Sequence, residues 1–242
     1  MPNALLTSLA PSDSSLLALY LQPVKLKLRQ QLETANRRID RVYFIESGFA
    51  SAVATGGRRP HETEVCVIGR EGMTGIAVLL GAERSSTSIF MQVDGQAQCI
   101  SSDELRHAMA KSACLTQVLL RYVQLYILQL EETSLANARA RIDQRLARWL
   151  LMARDRLEST EVRLSHELLS IMLGVRRPGI TAALNELESL ALISAGRRLI
   201  RITDPDGLRE AAGGFYGGAV MGRGAIASHG GGTPTHAHSE AY

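Results

Sequence analysis

Leu164-Ser165-His166-Glu167-Leu168-Leu169-Ser170-Ile171-Met172-Leu173-Gly174-Val175-Arg176-Arg177-Pro178-Gly179-Ile180-Thr181-Ala182-Ala183-Leu184-Asn185-Glu186-Leu187-Glu188 is the stretch on which the reading of this chain turns. Ser165 has the short hydroxyl side chain that caps a first helical turn, and the apolar spacing carries that helix to Leu173. Gly174 follows where the chain must turn sharply, and glycine tolerates positive φ. Val175 can fill the gap between two crossing helices, and small Ser170 lets them approach. A second helix starts near Arg177, with Pro178 tolerated in its first turn because the missing N–H would have no intrahelical partner. Ile180, Leu184 and Leu187 give its buried face.

A small residue, a glycine four later and an apolar residue six after that is the spacing of a DNA-binding helix-turn-helix. Arg176, Arg177, Gly179, Thr181 and Asn185 are left on the outer face near the second helix's start. Arg can make paired hydrogen bonds to guanine and Asn to adenine. Downstream, two short apolar strands flank Gly196-Arg197-Arg198, a hairpin tip with two cations suited to backbone phosphates. A plain helical hairpin explains the first part, but not why wing tip and helix start are both cationic. Ser165, Arg176, Arg177, Gly179, Thr181, Asn185, Arg197 and Arg198 are therefore the candidate DNA-binding residues.

The charge distribution agrees. The 242-residue chain carries a net charge of +3. Residues 1–138 hold 13 basic and 13 acidic side chains, whereas residues 139–204 hold 12 basic, all Arg, against 8 acidic. An excess made wholly of Arg in one segment fits phosphate or base-edge contact, although a solvated helical face could also give it.

Outward from the motif, residues 103–157 read helical, without Gly or Pro. Leu119, Val123, Tyr126, Leu130, Thr133 and Asn137 recur there at alternating spacings of four and three, the signature of one helix lying along another. Leu120, Ile127, Leu128 and Leu135 lie off that stripe and could face a strand domain. A helix apolar on two faces is covered by its own domain and by something else, most simply the same helix of a second subunit. The alternative is a helix buried inside a monomer. Leu119, Val123, Tyr126, Leu130 and Thr133 are the candidate dimer interface. Upstream, after a short helix near Ser14–Leu21, short runs such as Val42-Tyr43-Phe44-Ile45, Glu64–Ile68, Ser88–Val93 and Ala97–Ile100 alternate with glycine turns, suggesting an antiparallel sandwich or barrel.

The expected architecture is α+β: a jelly-roll-like antiparallel β-roll over 1–104, a long dimerisation helix over 105–138, and a winged helix-turn-helix over 139–204. Residues 205–242, with nine glycines between Gly213 and Gly232, read as a disordered Gly/His-rich tail. His229, His236 and His238 could bind a metal loosely there.

Other classes are set aside. No run approaches the roughly 18 apolar residues of a membrane helix, and Met1-Pro2-Asn3-Ala4 does not begin a secretory signal. Cys66, Cys99 and Cys114, an odd count far apart, argue for a reducing compartment and buried thiols; no metal site or cofactor is expected. No nucleophilic triad, HExxH or P-loop is present, so an enzyme is not expected.

The order of β-roll, long helix and winged helix-turn-helix resembles the Crp–Fnr family of bacterial transcription regulators, over about residues 5–210. Val42–Gly48 looks like the family's early β-roll hairpin, Val67–Gly75 like the turn entering its ligand cassette, and Arg141–Leu150 like the helix opening its DNA-binding domain. The resemblance implies a cytoplasmic homodimer on double-stranded DNA, RNA polymerase as a further candidate partner, and an unnamed small-molecule effector. In cyclic-nucleotide-binding members the cassette holds Gly-Glu-Leu and then Arg-Ser. The second pair is Arg84-Ser85 here, but the first place reads Gly75-Ile76-Ala77. Isoleucine accepts no hydroxyl hydrogen bond, so the usual cyclic AMP site is expected to be lacking; Gly75, Arg84, Ser85 and Thr133 remain the candidate ligand residues. The recognition helix also departs from the cyclic-AMP-receptor pattern at Pro178, Gly179 and Ala182, so a different target sequence is implied. A regulator whose DNA binding requires a small ligand is the competing reading.

Overall fold

This computed structural model describes residues 2–56, 61–196 and 198–217. After two short helices, α1 (Ala4–Thr7) and α2 (Pro11–Ala18), the chain runs through seven strands: β1 (Gln22–Leu26), β2 (Gln31–Glu33), β3 (Arg41–Ile45), β4 (Phe49–Gly56), β5 (His61–Ile68), β6 (Ser88–Val93) and β7 (Gly95–Ser101). The four-residue α3 (Ile76–Leu79) interrupts them. One antiparallel sheet has the order β1-β7-β3 and the other β2-β6-β4-β5, so the N-terminal half is a two-sheet roll.

The expected strands are present, with corrections. Val42–Gly48 is not a hairpin: β3 pairs with β7, while β4 lies between β5 and β6 in the other sheet. Gly48 makes the change of sheet possible. Its φ is +68°, and a Cβ there would lie 2.6 Å from the Asp94 carbonyl oxygen. Strand β4, Phe-Ala-Ser-Ala-Val-Ala-Thr-Gly, is alanine-rich and carries little β propensity of its own; pairing on both sides holds it extended. Val42, Phe44, Ile45, Met73, Met91 and Ile100 fill the roll's core.

The helical stretch after the roll is three helices: α4 (Ser102–Lys111), α5 (Ala113–Arg139) and α6 (Ile142–Leu157). The first break needs no glycine, because the Ser112 hydroxyl caps α5 by accepting from the Leu115 N–H at 3.1 Å. Helix α5 lies along the roll. Leu115, Leu119, Tyr122, Val123 and Tyr126 are buried in the roll's own core. The Tyr122 hydroxyl donates to the Met73 carbonyl at 3.0 Å, and the Gln129 amide pairs with both the N–H and the C=O of Val67 at 3.0 Å.

Leu119, Val123 and Tyr126, the candidate dimer residues, are thus covered by the roll of their own chain, and Leu130 packs against the same cluster. On α5 the exposed large apolar side chains are Leu120, Ile127 and Leu135, three of those assigned to the strand domain from sequence. The two stripes have the same 3.5-residue period, so spacing could not tell which one the roll covers. By length and composition alone α5 could also cross a membrane, although it holds no unbroken apolar run of that length. Its buried stripe docks on the roll instead.

The C-terminal half packs α6 against β8 (Glu161–Val162), α7 (His166–Leu173), α8 (Arg177–Ser189), β9 (Ile193–Ala195), β10 (Ile200–Ile202) and α9 (Pro205–Ala211). Its sheet has the order β8-β10-β9, adding a strand to the expected wing. The tail boundary at 204 is too early. Asp204 caps α9, Leu208 and Ala212 are buried in this domain's core, and the Tyr216 hydroxyl donates to Asp155 at 2.6 Å. Residues 218–242, with His229, His236 and His238, lie outside the described residues. Of the thiols, Cys66 and Cys99 are buried as expected, but Cys114 is exposed.

Candidate nucleic-acid interface and ligand recess

The helix-turn-helix is built as its sequence dictates. The Ser165 hydroxyl accepts from the Leu168 N–H at 3.2 Å, starting α7. Gly174 ends it at φ +60°, and the Val175 N–H reaches back to the Ser170 carbonyl at 3.0 Å. From α6, Arg145 donates to the Leu173 carbonyl at the end of α7. Helix α8 buries Ile180, Ala183, Leu184 and Leu187 and leaves Arg176, Arg177, Thr181 and Asn185 exposed along one side. At the wing, the Gly196 N–H donates to the Leu199 carbonyl at 2.8 Å, closing a tight tip on which Arg198 is exposed.

Two candidate contacts stand differently. Gly179 faces α6, where a Cβ would lie 3.2 Å from Ile142 Cδ1, so it serves close helix packing rather than a base edge. Arg197 lies outside the described residues. The sequence reading also missed Glu167, whose carboxylate pairs with Arg177 at 3.1 Å across the exposed turn. A carboxylate at the first turn of the first helix, facing the first turn of the second, was the available signal.

The candidate ligand residues separate. Gly75 and Ser85 converge on the Glu33 carboxylate, which accepts the Gly75 N–H at 2.6 Å and has the Ser85 and Thr74 hydroxyls beside it. Arg84 is exposed and donates to the Asn36 carbonyl at 2.9 Å. Thr133 is not in this group: its hydroxyl accepts from Arg148 of α6 at 3.2 Å. Thr133 therefore belongs neither to the cassette nor to an outer helix face but to the seam between the two halves.

That seam is closely tied. The buried Glu64 carboxylate of β5 accepts from Trp149 Nε1 at 2.6 Å and from the Ser51 hydroxyl. Burial pushes its carboxyl up to about 7, against the pull of Ser51, Trp149, Arg156 and Arg148. Phe49 meets Trp149 edge to face, with centroids 6.1 Å apart. Arg156 pairs with Glu71 at 2.6 Å, and Arg70 pairs with Glu158, so the turn entering the cassette is bound to the far end of α6.

Residues 144–211 match the family model of the Crp-like helix-turn-helix domain. The fold is similar to a protein described as a transcriptional regulator of the Crp/Fnr family from Eubacterium rectale, at 17% identity and a TM-score of 0.69, over 86% of this chain and 97% of that one. It is similar to a CRP-family transcriptional regulator from Thermus thermophilus, at 15% identity and 0.67, over 78% and 96%. It is also similar to a Xanthomonas campestris global regulator described as c-di-GMP responsive, at 14% identity and 0.66, over 80% and 99%. No curated protein sequence matches the chain.

Proposed function

We infer that this chain, a Crp-like helix-turn-helix domain joined to a β-roll, is a DNA-binding transcription regulator of the Crp/Fnr family. One observation carries the mechanism: Arg176, Arg177, Thr181 and Asn185 stand exposed on one side of α8 while every apolar residue of that helix's core face is buried. Such a helix can enter a major groove, where Arg177 reads a guanine edge and Asn185 an adenine edge. Arg198 at the wing tip then meets a backbone phosphate.

The reading extends to a cytoplasmic homodimer formed through α5. Its outward positions 113, 117, 120, 124, 127, 131, 134 and 138 alternate by four and three, and they include the exposed Leu120 and Ile127, with Leu135 beside them. Two copies joined there present two α8 helices to a two-fold symmetric site. The chain acts by binding rather than by catalysis. Cyclic AMP is not required, since Ile76 stands where a carboxylate would hold the ribose.

The test is selection of bound DNA from a random pool by purified, ligand-free protein, repeated with cyclic nucleotides. A two-fold symmetric motif recovered without ligand, with affinity falling steeply as salt rises, is the expected result. A motif recovered only with a nucleotide would replace this reading with the ligand-gated one, and no enriched motif in either arm would overturn both.

A further inference from the structure

The cassette of the roll already holds an anion. Glu33 ends the edge strand β2 and is only 5% exposed. Its Oε1 accepts the Gly75 N–H at 2.6 Å, and the hydroxyls of Thr74 and Ser85 lie beside the same carboxylate. These donors are fixed by the surrounding chain. Thr74 is fully buried, with its oxygen accepting from the Tyr43 N–H at 3.1 Å. Ser85 is 8% exposed, its carbonyl accepting from the Asn36 N–H at 2.7 Å. Gly75 sits at φ +81° with Val42 against it, where a Cβ would approach to 2.5 Å. A buried amide donor with two hydroxyls beside it suits a carboxylate or phosphate oxygen. Here the chain supplies that oxygen.

We propose that Glu33 is an internal replacement for an anionic ligand, filling the subsite made by Gly75, Thr74 and Ser85 so that the roll is set without a phosphate- or carboxylate-bearing small molecule. Glu33 is thereby a specificity-determining residue: an incoming anion would meet a buried carboxylate and lose its donors to it. The set cassette reaches the DNA-binding half over a short path. The Met73 carbonyl is held by Tyr122, Glu71 by Arg156, and Arg70 by Glu158. This regulatory consequence rests on the DNA-binding reading; the occupied subsite does not.

Removing the carboxylate should make the subsite available in trans. Glu33 also borders a surface recess of about 290 Å³ lined by Arg37, Arg38, Asp40 and Arg41. The full-length Glu33→Ala protein is melted in sodium formate and in sodium chloride of equal ionic strength, beside the wild type and Glu33→Gln. We expect Glu33→Ala to melt several degrees below the wild type in chloride and to recover in formate. The wild type and Glu33→Gln should respond alike to both salts, because a side chain already fills the site. If Glu33→Ala does not fold in chloride, refolding yield with and without formate gives the same comparison. Indifference of Glu33→Ala to formate, or an equal formate response in all three proteins, overturns the proposal; the latter would place the anion on the outer arginines. DNA binding of the wild type in chloride is measured in parallel. Its failure would sink the DNA-binding reading while leaving the formate result to judge the subsite.

Discussion

The cassette of the roll and the outer side of α8 are both collections of hydrogen-bond donors, and they are finished in opposite ways. In the cassette the Gly75 amide and the hydroxyls of Thr74 and Ser85 are out of water, and the chain's own Glu33 accepts the amide and lies beside the hydroxyls. On α8 and the wing, Arg176, Arg177 and Arg198 are exposed, and the ion pair of Arg177 with Glu167 is open to solvent on both sides. A buried donor without a partner costs about 1–3 kcal/mol, whereas an exposed one is served by water and held ready for a phosphate or a base. The contrast separates a surface that has kept its donors for another molecule from a recess that has used them up.

The contrast can be broken at several points. The largest effect is expected where the two regions are joined. Phe49→Ala empties a fully buried position against Trp149, and denaturant titration should show a loss of about 3–5 kcal/mol. A loss below about 1 kcal/mol would mean that the seam carries little of the stability.

Next is Ile127→Asp on the outward stripe of α5, where sedimentation should show dimer association weakened at least about tenfold while the monomer stays folded. Leu119→Asp, buried in the roll, should unfold the chain instead. An unchanged dimer in Ile127→Asp would place the interface elsewhere. Arg177→Ala should cost about 1–3 kcal/mol on the selected site and relax one position in each half-site.

Glu64 offers a pH test. Its carboxyl is raised from 4.5 to about 7 in the folded state, so the folded chain binds the proton more tightly than the unfolded one. That contribution is complete at low pH and is lost as pH rises through the window between those values. Glu64→Gln should flatten this part of the stability profile, and an identical slope in both proteins would remove Glu64 from the account. Arg198→Ala should have the smallest effect: specific and nonspecific DNA weaken alike, and the salt slope falls by about one counterion.

Much of this was legible in the residues. The Ser165 cap, Gly174, Pro178 and the Ile180-Leu184-Leu187 spacing specify their helices locally, and the helix-turn-helix follows them residue by residue. The strands around Val42, Val65 and Phe90 were visible because their branched and aromatic side chains favour extended backbone. Three kinds of feature were not. Strand β4 is set by its neighbours rather than by its alanines. Which stripe of α5 meets the roll depends on Tyr122 and Gln129 finding Met73 and Val67 far away in the chain. Glu33 and Gly75 are likewise brought together only by the pairing of sheets, so no motif announces them.

The segment after the wing has a consequence for anyone shortening this chain. Arg148, only 6% exposed, donates through Nε to the Phe215 carbonyl at 2.9 Å while its Nη2 reaches Thr133 on α5. One guanidinium thus staples the last described residues to the long helix, through α6. A truncation after residue 217 leaves that staple whole, whereas one at residue 204 removes Leu208 and Ala212 from the core and strands the Arg148 cation beneath a missing strap. An arginine's reach, not the close of the wing, ties this segment into the domain.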